Sequence, residues 1–221
     1  GNKTSELAAK RLAKLRKRQA AAGVLTSREI VEIRDKAKAM VAEAKALEDA
    51  GDPNAAEAMA AASAAMEKAT DIAKVSLVTG PDGQQYEVYL VKTPRVATKH
   101  MAWTAGGRIF VNYSQLMESG AMYKYLVDNE QKAAMLKEMG VTPAQFMQIF
   151  GSTKSKKGVY EFLIQHEMSH NRNNDSAVYP RIADTGRLDL MHPDAIAIEM
   201  RATLDVMSDG QKAMLAKMLK K

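Results

Sequence analysis

"IQHEMSHN", residues 164–171, places two of the chain's four histidines four residues apart around one glutamate. On an α-helix, positions i and i+4 lie on one face about one turn apart, so His166 and His170 can aim their imidazoles at a common point. Glu167 stands on the neighbouring face, beside that point. The flanking Val159, Phe162 and Leu163 give the helix an apolar side that must pack on something, and a packed structural helix would account for those flanks by itself. The question is whether the rest of the chain supplies what a metal would need.

The chain has no cysteine, so thiolate metal sites, disulfides and cysteine nucleophiles are excluded, and any metal must be held by histidine and carboxylate. In the H-E-x-x-H pattern two neutral imidazoles bind Zn²⁺ and the glutamate takes a proton from the water that the metal activates. A site of this kind has three protein ligands and one open position, so two histidines require a later partner. "HPDAIAIEMRATLDVM", residues 192–207, reads as a capped apolar helix with Glu199 in its middle, flanked by Ile196, Ala197, Ile198 and Ala202. A carboxylate on such a face requires a cation or hydrogen-bond donors. The 29 residues from His170 to Glu199 leave room for the chain to turn back and lay a second helix beside the first. Asp175 follows His170 by only five residues, and His192 precedes a proline at a helix start, so both compete less well as ligands.

Working outward, 221 residues with 46% apolar and 26% charged content suit one or two globular domains. There is no run of eighteen apolar residues and no apolar stretch behind the basic N-terminus, which leads us to expect no membrane span, no signal peptide and a cytoplasmic setting. A first residue of Gly rather than Met suggests a processed chain or an excised piece. The net charge of +6 is concentrated in residues 1–20, where Lys3, Lys10, Arg11, Lys14, Arg16, Lys17 and Arg18 face Glu6 alone, leaving 25 basic and 25 acidic residues elsewhere. A basic helix without aromatic residues is a solvated or packing segment first, and nucleic-acid binding through it is not expected.

Residues 1–74 read as a helical arm. The seam Ala8, Leu12, Leu15, Gln19 and Ala22 ends at Gly23. A second helix opens with Thr26 and Glu29 as a capping box and Leu25 stapling onto Ile30, and its seam runs Ile30, Ile33, Ala37, Met40, Ala44, Leu47. Asp52 and Pro53 are expected to start a third, with the seam Ala55, Met59, Ala62, Met66, Ala69, Ala73. The small alanines allow helices two and three to form a close antiparallel hairpin, and the seams leave oligomer formation open. A second domain, residues 75–221, begins with "VSLVTGPDGQQYEVYLV" (75–91), a β-hairpin around Gly-Pro-Asp-Gly, and "MAWTAGGRIFVNYSQL" (101–116), two strands around Gly106-Gly107. Helices are expected over 114–129, 130–139, 142–150, 158–171, 194–207 and from 209 to the end. The fold class is α+β, with a small, mostly antiparallel sheet packed on the helix carrying His166 and His170.

From about Val75 to Met207 the chain resembles the zincin metallopeptidases, and within them the gluzincins, whose third ligand is a glutamate on a later helix. "HEMSH" (166–170) is similar to their zinc-binding helix, "EMRA" (199–202) to their third-ligand helix, and "GGRIFVN" (106–112) to the edge strand on which they lay an extended peptide. The resemblance implies Zn²⁺ held by His166, His170 and Glu199, Glu167 as general base, a peptide or protein substrate, and substrate contacts from Arg108, Ile109 and Phe110. Tyr179 and His192, between the two ligand helices, are candidate donors to the oxyanion. Arg172 and Thr203 depart from the family pattern, so the carboxylate orienting a ligand histidine is expected among Asp175, Asp184 and Asp205. The competing expectation is a catalytically silent zincin-fold structural or interaction protein of a bacterial or phage assembly, anchored by its basic arm.

Overall fold

The computed structural model describes residues 2–21, 23, 25–92, 100–182 and 186–220. Asp184 and Ala22 fall outside these residues, as do the side chains of Ala8, Leu12, Leu15 and Gln19, on which the expected seam of the first helix rests. The chain is α+β. Helix α1 is Asn2–Ala21, and its Lys3, Lys10, Arg11, Lys14, Lys17 and Arg18 are exposed.

Helices α2 (Ser27–Asp49) and α3 (Ala55–Ile72) form the expected hairpin. Thr26 and Glu29 close the capping box, and the alanines Ala37, Ala44, Ala62 and Ala69 are buried where the two backbones approach. The start of α3 differs from expectation. The Asp52 carboxylate accepts from Asn54 N at 2.8 Å, so Asp52 and Pro53 make the turn and the helix begins at Ala55. Helix α3 then runs into strand β1 (Ala73–Thr79) with no loop between them, so a boundary at residue 74 falls inside a strand.

Strands β1, β2 (Gln85–Val91), β3 (Ala102–Ala105) and β4 (Arg108–Asn112) make one sheet in the order β1-β2-β4-β3. β1–β2 and β3–β4 are antiparallel, while β2–β4 is parallel, with Tyr89 opposite Phe110. The two-residue turn from β3 to β4 holds Gly106 at φ 57° and Gly107 at φ 75°; both central positions of this turn require positive φ, which glycine adopts without strain.

Period-two alternation gives the sheet two buried faces. Val88, Ile109, Val111 and Ala102 face a core formed with the later helices, while Tyr89, Val91, Phe110 and Trp103 face Ile30, Leu25 and Ile72 at the base of the hairpin. On this second face Tyr89, Phe110 and Trp103 stack across three strands at ring separations of 5.0 and 5.4 Å. Trp103 also donates from its indole to Ser27 Oγ at 2.6 Å. The base of the hairpin is thus one wall of the sheet's core.

Behind the first face lie α4 (Tyr113–Leu116), α5 (Ala121–Asp128), α6 (Glu130–Met139), α7 (Pro143–Ile149), α8 (Lys156–Arg172), α9 (Pro193–Asp205) and α10 (Asp209–Leu219). The helix expected over 114–129 is broken in two, because Gly120 adopts a left-handed conformation that caps α5. Helix α8 packs on β3 and β4, and α9 packs on α6 and α8. Among the described residues no helix is long and apolar enough to cross a membrane.

The entry of α8 depends on Gly158. A Cβ at this position would lie 1.8 Å from Ser152 O, in the 3-10 turn Gly151–Lys154 folded beneath the helix. The obstacle is backbone, so Gly158→Ala must displace one of the two segments. We expect it to lower stability by about 3 kcal/mol, read as a fall in denaturation midpoint at unchanged slope.

Candidate metal centre

Three helices meet where the candidate residues lie. Helix α8 carries His166, Glu167 and His170, α9 carries Glu199, and α6 carries Lys132; these five are all buried. The i,i+4 spacing brings the two imidazoles together edge to face, with ring centroids 4.7 Å apart and their Nε2 atoms 3.1 Å apart. Helix α9 presents its carboxylate to both, with Glu199 Oε2 2.9 Å from His166 Nε2 and Oε1 3.1 Å from His170 Nε2. Donor atoms of His166, Glu167 and His170 also lie within 4.8 Å of one another.

Two imidazole nitrogens and a carboxylate therefore form a small triangle. Around a tetrahedral zinc with ligand bonds of 2.0–2.1 Å, adjacent donors stand about 3.3 Å apart, close to the separations here, with a different oxygen of Glu199 facing each ring. The donor set suits zinc and other borderline divalent ions.

Beyond the triangle, His170 Nδ1 is 2.8 Å from Asp175 Oδ2, which fixes the ring so that Nε2 points inward. Asp175 is in turn ion-paired with Arg201, and Arg201 reaches Asp205 Oδ2 at 3.1 Å, where Ser169 Oγ also donates at 2.7 Å. Asp175 is thus the carboxylate that orients a candidate ligand, and Asp205 braces it through Arg201. Thr203 is occupied with Glu199 O and Met135 Sδ, while Arg172 lies against the Tyr86 hydroxyl. Among the described residues, buried His166 Nδ1 has no hydrogen-bond partner.

Asp175→Ala removes an orienting group and leaves the three inner donors in place. We expect metal affinity to fall 10- to 100-fold in competition with a chromogenic chelator, whereas His192→Ala leaves it unchanged.

Burial and charge pull the ionisable groups apart. Burial, reinforced by Lys132, lowers the His166 imidazole to about 4. Burial would lower His170 too, but its hydrogen bonds to Asp175 and Glu199 outweigh this and raise it to about 9. Burial pushes the Glu167 carboxyl up to about 7. Burial acts to raise Glu199 as well, yet the charge of Lys132 and the contacts with both histidines hold it well below the usual carboxylate range. Among the described residues Glu167 forms no ion pair.

The Tyr179 hydroxyl donates to Glu199 Oε1 at 3.0 Å and lies 3.3 Å from His170 Nδ1, so it belongs to the centre. His192 does not join it by any described contact; its Nδ1 accepts from Asp194 N at 3.1 Å and caps α9. Arg108, Ile109 and Phe110 require correction as substrate contacts. β4 is an inner strand paired with β2 and β3, Ile109 and Phe110 are fully buried, and Arg108 pairs with Glu87, so no extended peptide can add there.

The outer strand on this side of the sheet is β3, which no described strand pairs on its outer side, although Ala102 within it is buried. Asn112 N donates to Met101 O at 2.8 Å, which sets the alternation of the ladder and turns the backbone groups of Ala102 and Thr104 outward.

Two residues of this region carried no recognised signal in the sequence. Lys132 occupies the same face of α6 as Met135, Leu136 and Met139, and a lysine on an apolar seam marks a buried cation. His100, lowered to about 4 by burial and by the charge of Lys132, also lies close enough to feel Glu199 and His170; nothing in "TPRVATKH" (93–100) announces it.

No protein-family model, curated protein or solved structure matches the chain.

Proposed function

We propose that this protein is a zinc-dependent peptidase whose ligands are His166, His170 and Glu199 and whose general base is Glu167. The observation that carries this reading is the triangle of two Nε2 atoms and one carboxylate, closed at 2.9 and 3.1 Å between two helices. A bound zinc ion supplies Lewis-acid polarisation of the scissile carbonyl and lowers the pKa of water. Glu167 adjoins the triangle with its carboxylate uncommitted to any described cation, so it can take a proton from the attacking water and return it to the leaving amine. Tyr179, through its hydroxyl on Glu199 Oε1, holds the third ligand and stands at the edge of the reacting space.

We place the substrate chain in a cavity of about 690 Å³ walled by His100, Met101, Tyr125, Gln131, Ile182 and Met191, of which His100 lies close enough to feel the charge of Glu199 and His170. This is the size range of ligand pockets. Hydrolysis of an unfolded protein tests the proposal: activity should vanish with a strong chelator and return on adding zinc. Activity indifferent to chelator and zinc would sink it.

One observation favours a second reading, in which the fold serves a structural or interaction role without turnover, as in a bacterial or phage assembly. Lys132 already neutralises Glu199, so the network is balanced with no ion at all. Under that reading the purified protein holds no stoichiometric metal and shows no activity in the same assay.

A further inference from the structure

Lys132 makes a demand that the three-ligand reading does not meet. Its side chain, 6% exposed, is ion-paired with Glu199 Oε2 and lies over the Tyr125 ring, 5.6 Å from its centroid. Among the described residues Glu199 is its only ion-pair partner. The carboxylate is thereby divided: Oε2 faces Lys132 and His166, and Oε1 faces His170 and Tyr179.

A buried carboxylate left without a cation is strongly destabilising, and the same holds for a buried ammonium. Lys132 and Glu199 therefore hold each other in the metal-free protein, with His170 closing on the carboxylate's other oxygen, and the triangle of donors is kept assembled by internal charge. An incoming dication must share that carboxylate with the ammonium, and in a poorly solvated site two cations on one carboxylate repel.

We propose that Lys132 is a built-in counter-cation, a positioning residue that keeps Glu199 and the two histidines arranged without metal and holds metal affinity below what the three ligands alone would give. The inference rests on the metal reading above. Its consequence is a centre that folds before loading and exchanges its ion, rather than a structural zinc on which folding depends.

The experiment compares the full chain with Lys132→Met and with Lys132→Gln, which keeps a donor toward Glu199 while removing the charge. Thermal melting is followed with and without Zn²⁺, and Zn²⁺ affinity is measured by chelator competition. Without metal, both variants should melt about 10 °C lower. Both should bind Zn²⁺ at least roughly tenfold more tightly than the parent, and zinc should raise their melting temperature by more than it raises the parent's.

Zinc binding equal to or weaker than the parent's would make Lys132 a strut for the ligand and overturn the inference alone. A parent chain that binds no zinc overturns the inference and the metal reading together. A variant that folds only when zinc is present meets the expectation, and a pair of variants that fold in neither condition contradicts it.

Discussion

Glu167→Gln should keep its metal and lose peptide hydrolysis by a factor of at least about 10³, measured as kcat on an unfolded protein substrate. The change swaps one oxygen for nitrogen at nearly constant volume, so the packing around α8 is retained. Glu167 is 7% exposed and lies beside the donor triangle without an ion-pair partner among the described residues, so the substitution breaks no salt bridge. What it removes is the ability to accept a proton. A structural role for Glu167 would instead lower stability and leave kcat within a few-fold of the parent, which is the outcome that contradicts the assignment.

The second large effect concerns the third ligand. Glu199→Ala should weaken zinc binding by orders of magnitude, since a two-histidine site remains, and it should also destabilise the metal-free protein by about 3–5 kcal/mol. The second effect arises from Lys132, which the substitution strands in the interior with no described ion-pair partner. The pair of outcomes is diagnostic. Loss of stability with unchanged zinc binding would mean that Glu199 serves Lys132 alone, and loss of zinc with unchanged stability would mean that the Lys132 ion pair contributes little to the fold.

Much of the fold was legible because its determinants are local. Thr26 and Glu29, and Gly106-Gly107, each specify a cap or turn within a few residues, and both form as the sequence implies. The spacing of His166 and His170 on one helix is local in the same sense, and the convergence of their Nε2 atoms follows from helical geometry.

What the sequence concealed is set by contacts between distant segments. β4 carries Arg108, Ile109 and Phe110 with the alternation of an ordinary strand, and only the parallel pairing with β2, about twenty residues earlier, turns it from an edge into an inner strand. The choice of Asp175 over Asp205 as the group on His170 depends on how a 3-10 turn at Asp175–Ala177 brings its carboxylate back under the helix. Lys132 was readable in principle, as a charge on the apolar seam of α6, but its partner lies 67 residues further along the chain.

The proposed chemistry requires a metal at His166, His170 and Glu199. Elemental analysis of the full chain, purified without chelator and beside a His166→Ala, His170→Ala double variant, measures this directly. We expect one zinc per parent chain and none in the variant. Stoichiometric zinc retained by the variant, or a folded parent that takes up no zinc when the ion is supplied, would contradict it.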